Sequence, residues 1–500
     1  MLPANKSSWF SYSLKALLLL FSGFVVIRTA FYAGAYREAL ADFHLPFDYL
    51  PKTKLVWLFF LIYVFVFLAI TAGERHLKDE LRKPLLFSLW GLALLYQLYL
   101  VTHYHLLPKV DLEHIYDQVM SCLGKSDPVF SDTDYYGFYT NNIPVAILIY
   151  LVFAPFYHFF GNGIDYMVLG GIWNVFCIFI SYVFIYRILA VTSSGKAAFP
   201  VMLLLLSNPA FYAYAPYFYT DTLCLPFLTG GCLLLTHALK SDDRKKHLVF
   251  TLTASVVLYL GYRIRATTIF LLIAFVVYLL IRRDWKQLLT AVPIIACGVL
   301  MTTLLISPIE RHFVPYDTKE TAVPITHFLM MGSHDSGMYD QKDVDFTRSF
   351  STGQERSDAT RQAFLNNLNN TSVSEQLVRI GEKEGFVWSL GSHWYKQYTL
   401  AVSEKDPVQE LYIGKQSGRM NAFMQAYNLA LFLFITAGLL ISLVRREEER
   451  PILSMIEIYY FGAIVFYMFW EAHPRHSLCF LPLLTLLTIP SIIFVARDNS

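Results

Sequence analysis

The sequence predicts an all-α protein that crosses a membrane many times. Hydrophobic residues make up 55% of the chain and charged residues only 16%, whereas soluble domains carry about 25% charged residues. Apolar runs of the length that a bilayer requires, roughly 17–25 residues, follow one another along most of the sequence. Lys and Arg collect in short loops between these runs, as they do in the cytoplasmic loops of membrane proteins. The small net charge of +2 gives no indication of a nucleic-acid partner.

Thirteen apolar runs are candidate spans. They lie near residues 14–35, 55–72, 86–106, 143–160, 166–190, 198–213, 218–239, 248–262, 266–282, 287–307, 424–444, 453–470 and 477–495. The first run is longer than the core of a signal peptide, and no small-residue cleavage site follows it. We therefore expect it to be retained as the first helix.

Charge and parity reduce the thirteen candidates to twelve. Loops 73–85 and 240–247 are both rich in Lys and Arg, so both should be cytoplasmic. An even number of crossings must separate them, yet five candidates lie between. The run 143–160 is the weakest, because it contains two prolines and a Gly-Asn-Gly turn follows it. We predict twelve spans with both termini in the cytoplasm, and a non-spanning helix over 143–160 in a long external segment, 107–165.

Polar and charged residues collect at the predicted outer ends of the spans. The candidates are Asp111 and Glu113 after the third span, Tyr219 and Asp221 between spans five and six, Arg263 and Arg265 in a tight hairpin, and Glu471, Arg475 and His476 between the last two spans. Ionisable residues at a membrane edge are costly and are functional candidates by default. Each one alone also has a structural interpretation, since Asp is a common helix N-cap and Arg commonly snorkels to an interface.

The order of these clusters resembles the GT-C class of polytopic membrane glycosyltransferases. The resemblance begins near residue 84 and rests on Asp111 in the first external loop, followed by YTNNIPVAILIYLVFAPFYHFFGNG, YRILA, NP…YTDTL, GYRIRATTIF and a closing E…PRH…P segment. FYTNNIP, HFLMMGSHDSGMY and WEAHPRH look most like bacterial members, especially Gram-positive ones. Protein O-mannosyltransferases and aminoarabinose transferases are more distant relatives of this class.

The resemblance implies transfer of a sugar, with inversion, from a polyprenyl-phosphate donor to an extracytoplasmic glycan, glycolipid or protein at a bacterial plasma membrane. Asp111 matches the catalytic base, and Asp221 resembles a second acidic position that orients acceptor or sugar hydroxyls. Glu113 is a reserve candidate for the base. If residues 111–119 form a helix, Asp111 and Glu113 point to different sides, and only one of them should face the site.

The remaining candidates are expected to bind substrate. Arg263, Arg265 and Arg475 are suited to a departing lipid phosphate, because guanidinium groups pair with phosphate through two parallel hydrogen bonds. Glu471, Tyr219 and His476 complete the set, although His476 stands where relatives often have Tyr. No metal ligands are expected, and the need for a divalent cation (Mg²⁺ or Mn²⁺) is left open. Loop 327–345 is either a lid over the site or a surface loop.

The chain divides into four predicted regions. They are two extra N-terminal spans (1–83), the GT-C-like transmembrane core with external loop 107–165 (84–307), a mixed extracytoplasmic segment (308–423) and the C-terminal spans (424–500).

Two other functions stay open at this point. A transporter or flippase has a similar number of spans, but transporters place their polar sites near the membrane midplane and are built from repeats, whereas the charges here lie at one face. An oligosaccharide ligase or polymerase would share the architecture of a GT-C enzyme.

Overall fold

The structure is a computed structural model that describes residues 5–31, 53–104, 106–192, 197–398, 400–401, 406–445 and 450–497. The regular secondary structure of these residues is helical, apart from one antiparallel pair of two-residue strands, Leu106–Leu107 and Leu400–Ala401. Loops and turns connect the helices. The all-α prediction is thus confirmed. Residues 32–35, at the end of the first predicted span, lie outside the described residues.

The α-helices are numbered here in chain order. They are α1 (Asn5–Ala30), α2 (Thr53–Gly73), α3 (Asp79–Tyr104), α4 (Asp111–Cys122), α5 (Thr133–Phe138), α6 (Ile143–Phe160), α7 (Tyr166–Thr192), α8 (Ala198–Leu206), α9 (Pro209–Ala213), α10 (Thr220–Leu223), α11 (Leu225–Lys240), α12 (Arg244–Ile264), α13 (Phe270–Arg282), α14 (Trp285–Phe313), α15 (Ile325–Met331), α16 (Gln341–Arg348), α17 (Gly353–Asn369), α18 (Val373–Ser389), α19 (Pro407–Tyr412), α20 (Ser417–Val444), α21 (Pro451–Phe469), α22 (Leu481–Leu484) and α23 (Ile489–Arg497). Short 3₁₀ segments join several of them, including Pro474–Phe480 before α22.

Within the described residues, eleven helical stretches are long and apolar enough to cross a membrane. They are Trp9–Ala30, Thr53–Gly73, Glu80–His103, Thr140–Phe160, Tyr166–Thr192, Thr220–Lys240, Arg244–Ile264, Trp285–Phe313, Ser417–Val444, Pro451–Phe469 and Pro474–Val495. A shorter apolar stretch, Ala266–Arg282, lies between two of them. We call the end of this bundle that carries Asp111, Tyr219 and Trp470 the upper end.

Helix α6 stays at the upper end although its length and composition would allow it to span. At its start, Asn142 Oδ1 lies 3.0 Å from the Tyr219 hydroxyl. Soon after its end, Gly170 of α7 packs directly against Phe218, the neighbour of Tyr219 in the chain. The chain therefore enters and leaves α6 at the same end of the bundle. This placement is the one expected for the non-spanning helix that parity predicts.

The predicted span 198–213 is two short helices rather than one. Asn208 separates α8 from α9, and its side chain accepts a hydrogen bond from the Ala210 N–H (3.0 Å). Pro209 occupies the first position of α9, where its missing N–H costs nothing. The prediction of twelve spans therefore differs from the eleven stretches named above in two ways: it counts this broken helix and Ala266–Arg282 as crossings, and it leaves out α6.

The segment between α14 and α20 forms a helical cover over the upper end, built from α15 to α19. Its two longest helices begin with the reciprocal side-chain and backbone hydrogen bonds of a capping box, at Thr352 and at Ser372. Lys383 of α18 donates hydrogen bonds to the carbonyls of Gly332 in the cover and of Met468 at the end of α21. The cover is thus fastened to the membrane-spanning bundle.

Candidate active site at the upper end of the bundle

A cavity of about 1700 Å³ opens at the upper end between the bundle and the cover. Its walls come from α4, α5, the start of α6, the ends of α12 and α14, and the Trp470–His476 loop. Seven of the nine site candidates line it, namely Asp111, Tyr219, Arg263, Arg265, Glu471, Arg475 and His476. The structure therefore brings together residues that lie hundreds of positions apart in the chain.

Asp111 is the first residue of α4 and does not cap it. The N-cap position is taken by Val110, which makes no side-chain cap hydrogen bond. Val110 has φ 55° and ψ −133°, a conformation that is strained for a β-branched residue and costs about 1–3 kcal/mol. Such strain occurs where surrounding contacts enforce a particular local geometry. Here it directs the Asp111 carboxylate into the cavity.

Two phenols hold the Asp111 carboxylate. The Tyr135 hydroxyl donates to Oδ1 over 2.8 Å, and the Tyr219 hydroxyl lies 3.1 Å from Oδ2. Asn142 orients the phenols in turn, because its Nδ2 donates to the Tyr135 oxygen over 2.7 Å and its Oδ1 lies 3.0 Å from the Tyr219 hydroxyl. Neutral donors fix the carboxylate while leaving a quarter of its side chain exposed.

Asp221 has a different environment, in which two arginines surround it. Its side chain is 1% exposed, with Oδ1 2.6 Å from Arg265 Nη1 and Oδ2 3.2 Å from Arg475 Nε. The Arg475 guanidinium also lies over the rings of Tyr219 (4.9 Å) and Tyr398 (4.4 Å) and reaches to 3.9 Å from Asp111 Oδ2. Buried charges are tolerated when they are paired in this way.

The role expected for Asp221 needs correction. Asp221 does not line the cavity, because the two guanidinium groups enclose its carboxylate. It is therefore in position to orient Arg265 and Arg475, and not to touch acceptor or sugar hydroxyls directly.

Glu113 is also misplaced as a reserve base. It is exposed in the first turn of α4 and does not line the cavity. Residues two apart on a helix do not share a face, so the first turn of α4 can present either Asp111 or Glu113 to the site, and the residue that lines the cavity is Asp111.

Arg263 is paired with Glu310, a residue that the sequence did not single out. Arg263 Nη2 lies 2.5 Å from Oε1 and 2.7 Å from Oε2, and Nε lies 3.2 Å from Oε1. The two side chains come from the last turns of α12 and α14 and both border the cavity. Arg263 thus lies at the site without contact to Asp111 or Asp221.

Glu471 lies in the loop after α21 and faces the same cavity. Burial raises the pKa of its carboxyl group to about 7, while the Arg475 guanidinium opposes the shift and Asp111 adds to it. His476 lines the cavity and stacks on Tyr467, with ring centroids 5.6 Å apart. His473 accepts a hydrogen bond from the Arg475 N–H (3.1 Å) and lies 2.6 Å from the Tyr398 hydroxyl.

Loop 327–345 borders the cavity, as a lid would. Phe328 and Tyr339 contribute to the lining, and Phe328 stacks on Trp470 (4.9 Å between centroids). His334 closes the loop on itself, since its Nε2 lies 3.0 Å from Asp343. Hydrogen bonds to Asp343 and Asp335 raise the pKa of His334 to about 9, so its ring is cationic at neutral pH.

Sequence reasoning missed Tyr135, Asn142, Tyr398 and Glu310. Asn142 stands in FYTNNIP, a piece that carried the resemblance without an assigned role, and Glu310 is an acidic residue that ends a long apolar helix. The position of Asn142 in that motif and of Glu310 near a helix end could each have marked the residue as a candidate for the site. Among the described residues, no group of three or more His, Cys, Asp or Glu side chains is arranged to hold a metal ion.

The family described as "Conserved hypothetical integral membrane protein" matches residues 9–493. The chain belongs to this family. The match covers every candidate span except the last two residues of Pro474–Val495, and it includes every residue of the candidate site. It agrees with the multi-pass architecture found here. A search of curated proteins finds no match.

Proposed function

We propose that this integral membrane protein is a glycosyltransferase that moves a sugar from a polyprenyl-phosphate donor to an extracytoplasmic acceptor. The acceptor class is a cell-surface glycan, a glycolipid or a protein. The upper end would face outward from a bacterial plasma membrane, with both termini in the cytoplasm. The observation that carries the proposal is a cavity-facing carboxylate, Asp111, beside the anchored guanidinium group of Arg475 at the edge of the membrane-spanning bundle.

The proposed reaction is a single displacement. An acceptor hydroxyl attacks the anomeric carbon, Asp111 takes the hydroxyl proton, and the bond between the anomeric carbon and the phosphate oxygen breaks. The polyprenyl phosphate leaves with the bonding electron pair, and the configuration at the anomeric carbon inverts. A base that performs this step must lie within hydrogen-bond reach of the attacking hydroxyl, and the exposed edge of Asp111 permits that approach.

In the proposed reaction, the arginines stabilise the negative charge of the departing phosphate. A polyprenyl phosphate is already a stable anion, so a general acid is unnecessary, but its growing charge requires cations fixed in advance. Arg265 and Arg475 are held by Asp221 and line the cavity. Preorganised charge of this kind is usually one of the largest contributions to a lowered barrier.

A transporter is the competing proposal from another functional class. Transporters bind substrate near the membrane midplane, whereas the charged groups of the candidate site gather at the upper end. An oligosaccharide ligase or polymerase would use the same displacement with a larger donor, so a panel of donors is the appropriate test.

The test measures release of polyprenyl phosphate from a mixture of polyprenyl-phosphate sugars by membranes that contain wild type, Asp111→Asn or Glu113→Gln. We expect release by wild type and Glu113→Gln but not by Asp111→Asn at equal expression. Glu113→Gln is the matched control, because it removes a carboxylate from the same helix outside the cavity. Equal release by Asp111→Asn would exclude Asp111 as the base. Absence of release from every donor by a folded wild type would favour transport.

A further inference from the structure

We infer that Glu310 is a built-in substitute for the lipid phosphate, which holds Arg263 while the site is empty and yields it to the phosphate of the donor. This inference rests on the proposed function, because it names the group that Arg263 binds. It extends that function by assigning a role in substrate and product exchange to Glu310.

The contact between the two residues is the one that a phosphate would make. The guanidinium of Arg263 meets both Glu310 oxygens through Nη2, with Nε as a second donor. Carboxylate and phosphate present similar pairs of oxygen atoms to a guanidinium. Exchange of one for the other therefore leaves Arg263 paired at every stage.

The Arg263–Glu310 pair is easier to open than the pairs around Asp221. The side chains of Arg263 and Glu310 are 33% and 18% exposed, and partly exposed ion pairs contribute little net stability. Around Asp221 the corresponding figures are 10% for Arg265 and 1% for Asp221 itself, and separating such a buried pair is costly. The site thus contains fixed arginines and an exchangeable one.

The position of Glu310 in its helix also favours exchange. Glu310 lies in the last turn of α14, where the negative end of the helix dipole disfavours a carboxylate. Pro308, two residues earlier, has no N–H to donate to the Leu304 carbonyl, so the helix has one backbone hydrogen bond fewer just before that turn. Within the described part of the chain, the side chain of Glu310 pairs with Arg263 and with no other residue, so its carboxylate can leave without disrupting a larger network.

The chemical benefit is weaker retention of the product. Three arginines that were all free would bind the departing phosphate tightly and slow its release. Because Glu310 competes for Arg263, part of the phosphate affinity is cancelled in both the donor complex and the product complex. Affinity that is equal in the donor complex and the product complex does not raise the rate of the chemical step. Losing this affinity therefore leaves that rate nearly unchanged and lets the product leave faster.

The experiment measures binding of farnesyl phosphate, and separately of inorganic phosphate, to the detergent-solubilised full-length protein. Glu310→Gln removes the competing charge at constant size. We expect it to bind farnesyl phosphate about tenfold more tightly than wild type, equivalent to about 1.4 kcal/mol. The double variant Arg263→Gln/Glu310→Gln should lose that gain. Tighter binding of both probes supports an anion site that is open to free phosphate. Tighter binding of farnesyl phosphate alone supports a site for a lipid headgroup.

The matched control is Asp317→Asn, which removes another carboxylate from the same cavity wall. In the structure, Asp317 accepts a hydrogen bond from the Lys319 N–H. An equal gain in Asp317→Asn would attribute the effect to general charge and overturn the inference. Unchanged or weaker binding in a folded Glu310→Gln would do the same, with Glu310→Ala, which also removes the charge, as the variant to use if Glu310→Gln does not fold.

The binding assay separates this inference from the proposed reaction. If no donor is turned over yet Glu310→Gln still gains affinity through Arg263, the transferase proposal fails and the exchangeable anion site stands. If wild type releases polyprenyl phosphate but Glu310→Gln shows no gain, only the inference fails.

Discussion

Asp111 and Asp221 are the same residue type at the same end of the bundle, yet their surroundings prepare them for opposite roles. Two phenols hold Asp111, and a quarter of its side chain is open to the cavity. Two arginines enclose Asp221, which is almost fully buried. The comparison teaches that the neighbours of a carboxylate decide what it can do. Two phenols and one more distant guanidinium group leave Asp111 an open edge toward the cavity, whereas two close guanidinium groups commit Asp221 to a structural ion pair.

The largest expected effect is on the rate of the Asp111→Asn variant. Loss of a general base typically costs about 10²–10⁴-fold, and Asn cannot accept the hydroxyl proton. We expect that fall in kcat with a melting temperature close to that of wild type. The Asn oxygen can still accept from Tyr135, and its NH2 group can donate to the Tyr219 oxygen while the Tyr219 hydroxyl donates to Asn142. Single-turnover rates and thermal unfolding in detergent provide the two measurements. A large loss of stability with little loss of rate would reverse the distinction between the two carboxylates.

The next effect is on the stability of the Asp221→Asn variant. Removing one partner from a buried ion pair leaves uncompensated charge and costs about 3–5 kcal/mol, so the melting temperature should drop clearly. Activity should fall too, since Arg265 and Arg475 lose their common anchor. Thermal unfolding of the purified variant measures the first change. Unaltered stability would show that Asp221 is not a structural ion-pair partner.

Smaller effects are expected from the phenols. Each donates to a charged group, a hydrogen bond worth about 1.5–3 kcal/mol, so Tyr135→Phe or Tyr219→Phe should reduce kcat roughly ten- to hundredfold. Tyr339→Phe is the control, because Tyr339 lines the cavity but donates to Gln341. Steady-state rates at saturating donor compare the three. Equal losses of kcat in all three variants would show that the two phenols beside Asp111 contribute no more to the reaction than Tyr339 does.

The smallest effect concerns pH and Glu471. Burial raises the pKa of its carboxyl group from 4.5 to about 7, so the folded protein keeps a proton that the unfolded chain has lost. Stability from this group therefore declines as pH rises from 4.5 to 7. Glu471→Gln should flatten the fall of melting temperature over that range, while Glu113→Gln should not. A parallel decline in wild type and Glu471→Gln would contradict a buried, protonated Glu471.

Hydropathy and charge were sufficient for much of the fold. The long candidate spans follow from apolar length, and the prediction that α6 does not span depends on parity between two basic loops. The break at Asn208 was not predicted, because the apolar character of 198–213 continues across it and only the local Asn-Pro pair determines where the helix stops.

The site was predictable in its charged members but not in their pairing. Asp111, Arg265 and Arg475 stand out because ionisable residues are rare in such a sequence. The packing of α10, α12 and α14 determines both pairings. It shields Asp221 from the cavity and brings Arg263 against Glu310. Asn142 is uncharged and gave no such signal, although it orients both phenols around Asp111.

The distance along the chain between Asp111 and Arg475 has a consequence for biosynthesis. At about 5–20 residues per second, the ribosome needs roughly 20–70 s to travel from one to the other. During that time the nascent chain, already threaded into the membrane, has its carboxylate but lacks the cation that completes the pocket. Under the proposed transferase function, a growing chain would therefore be inactive until the last pair of spans is in place.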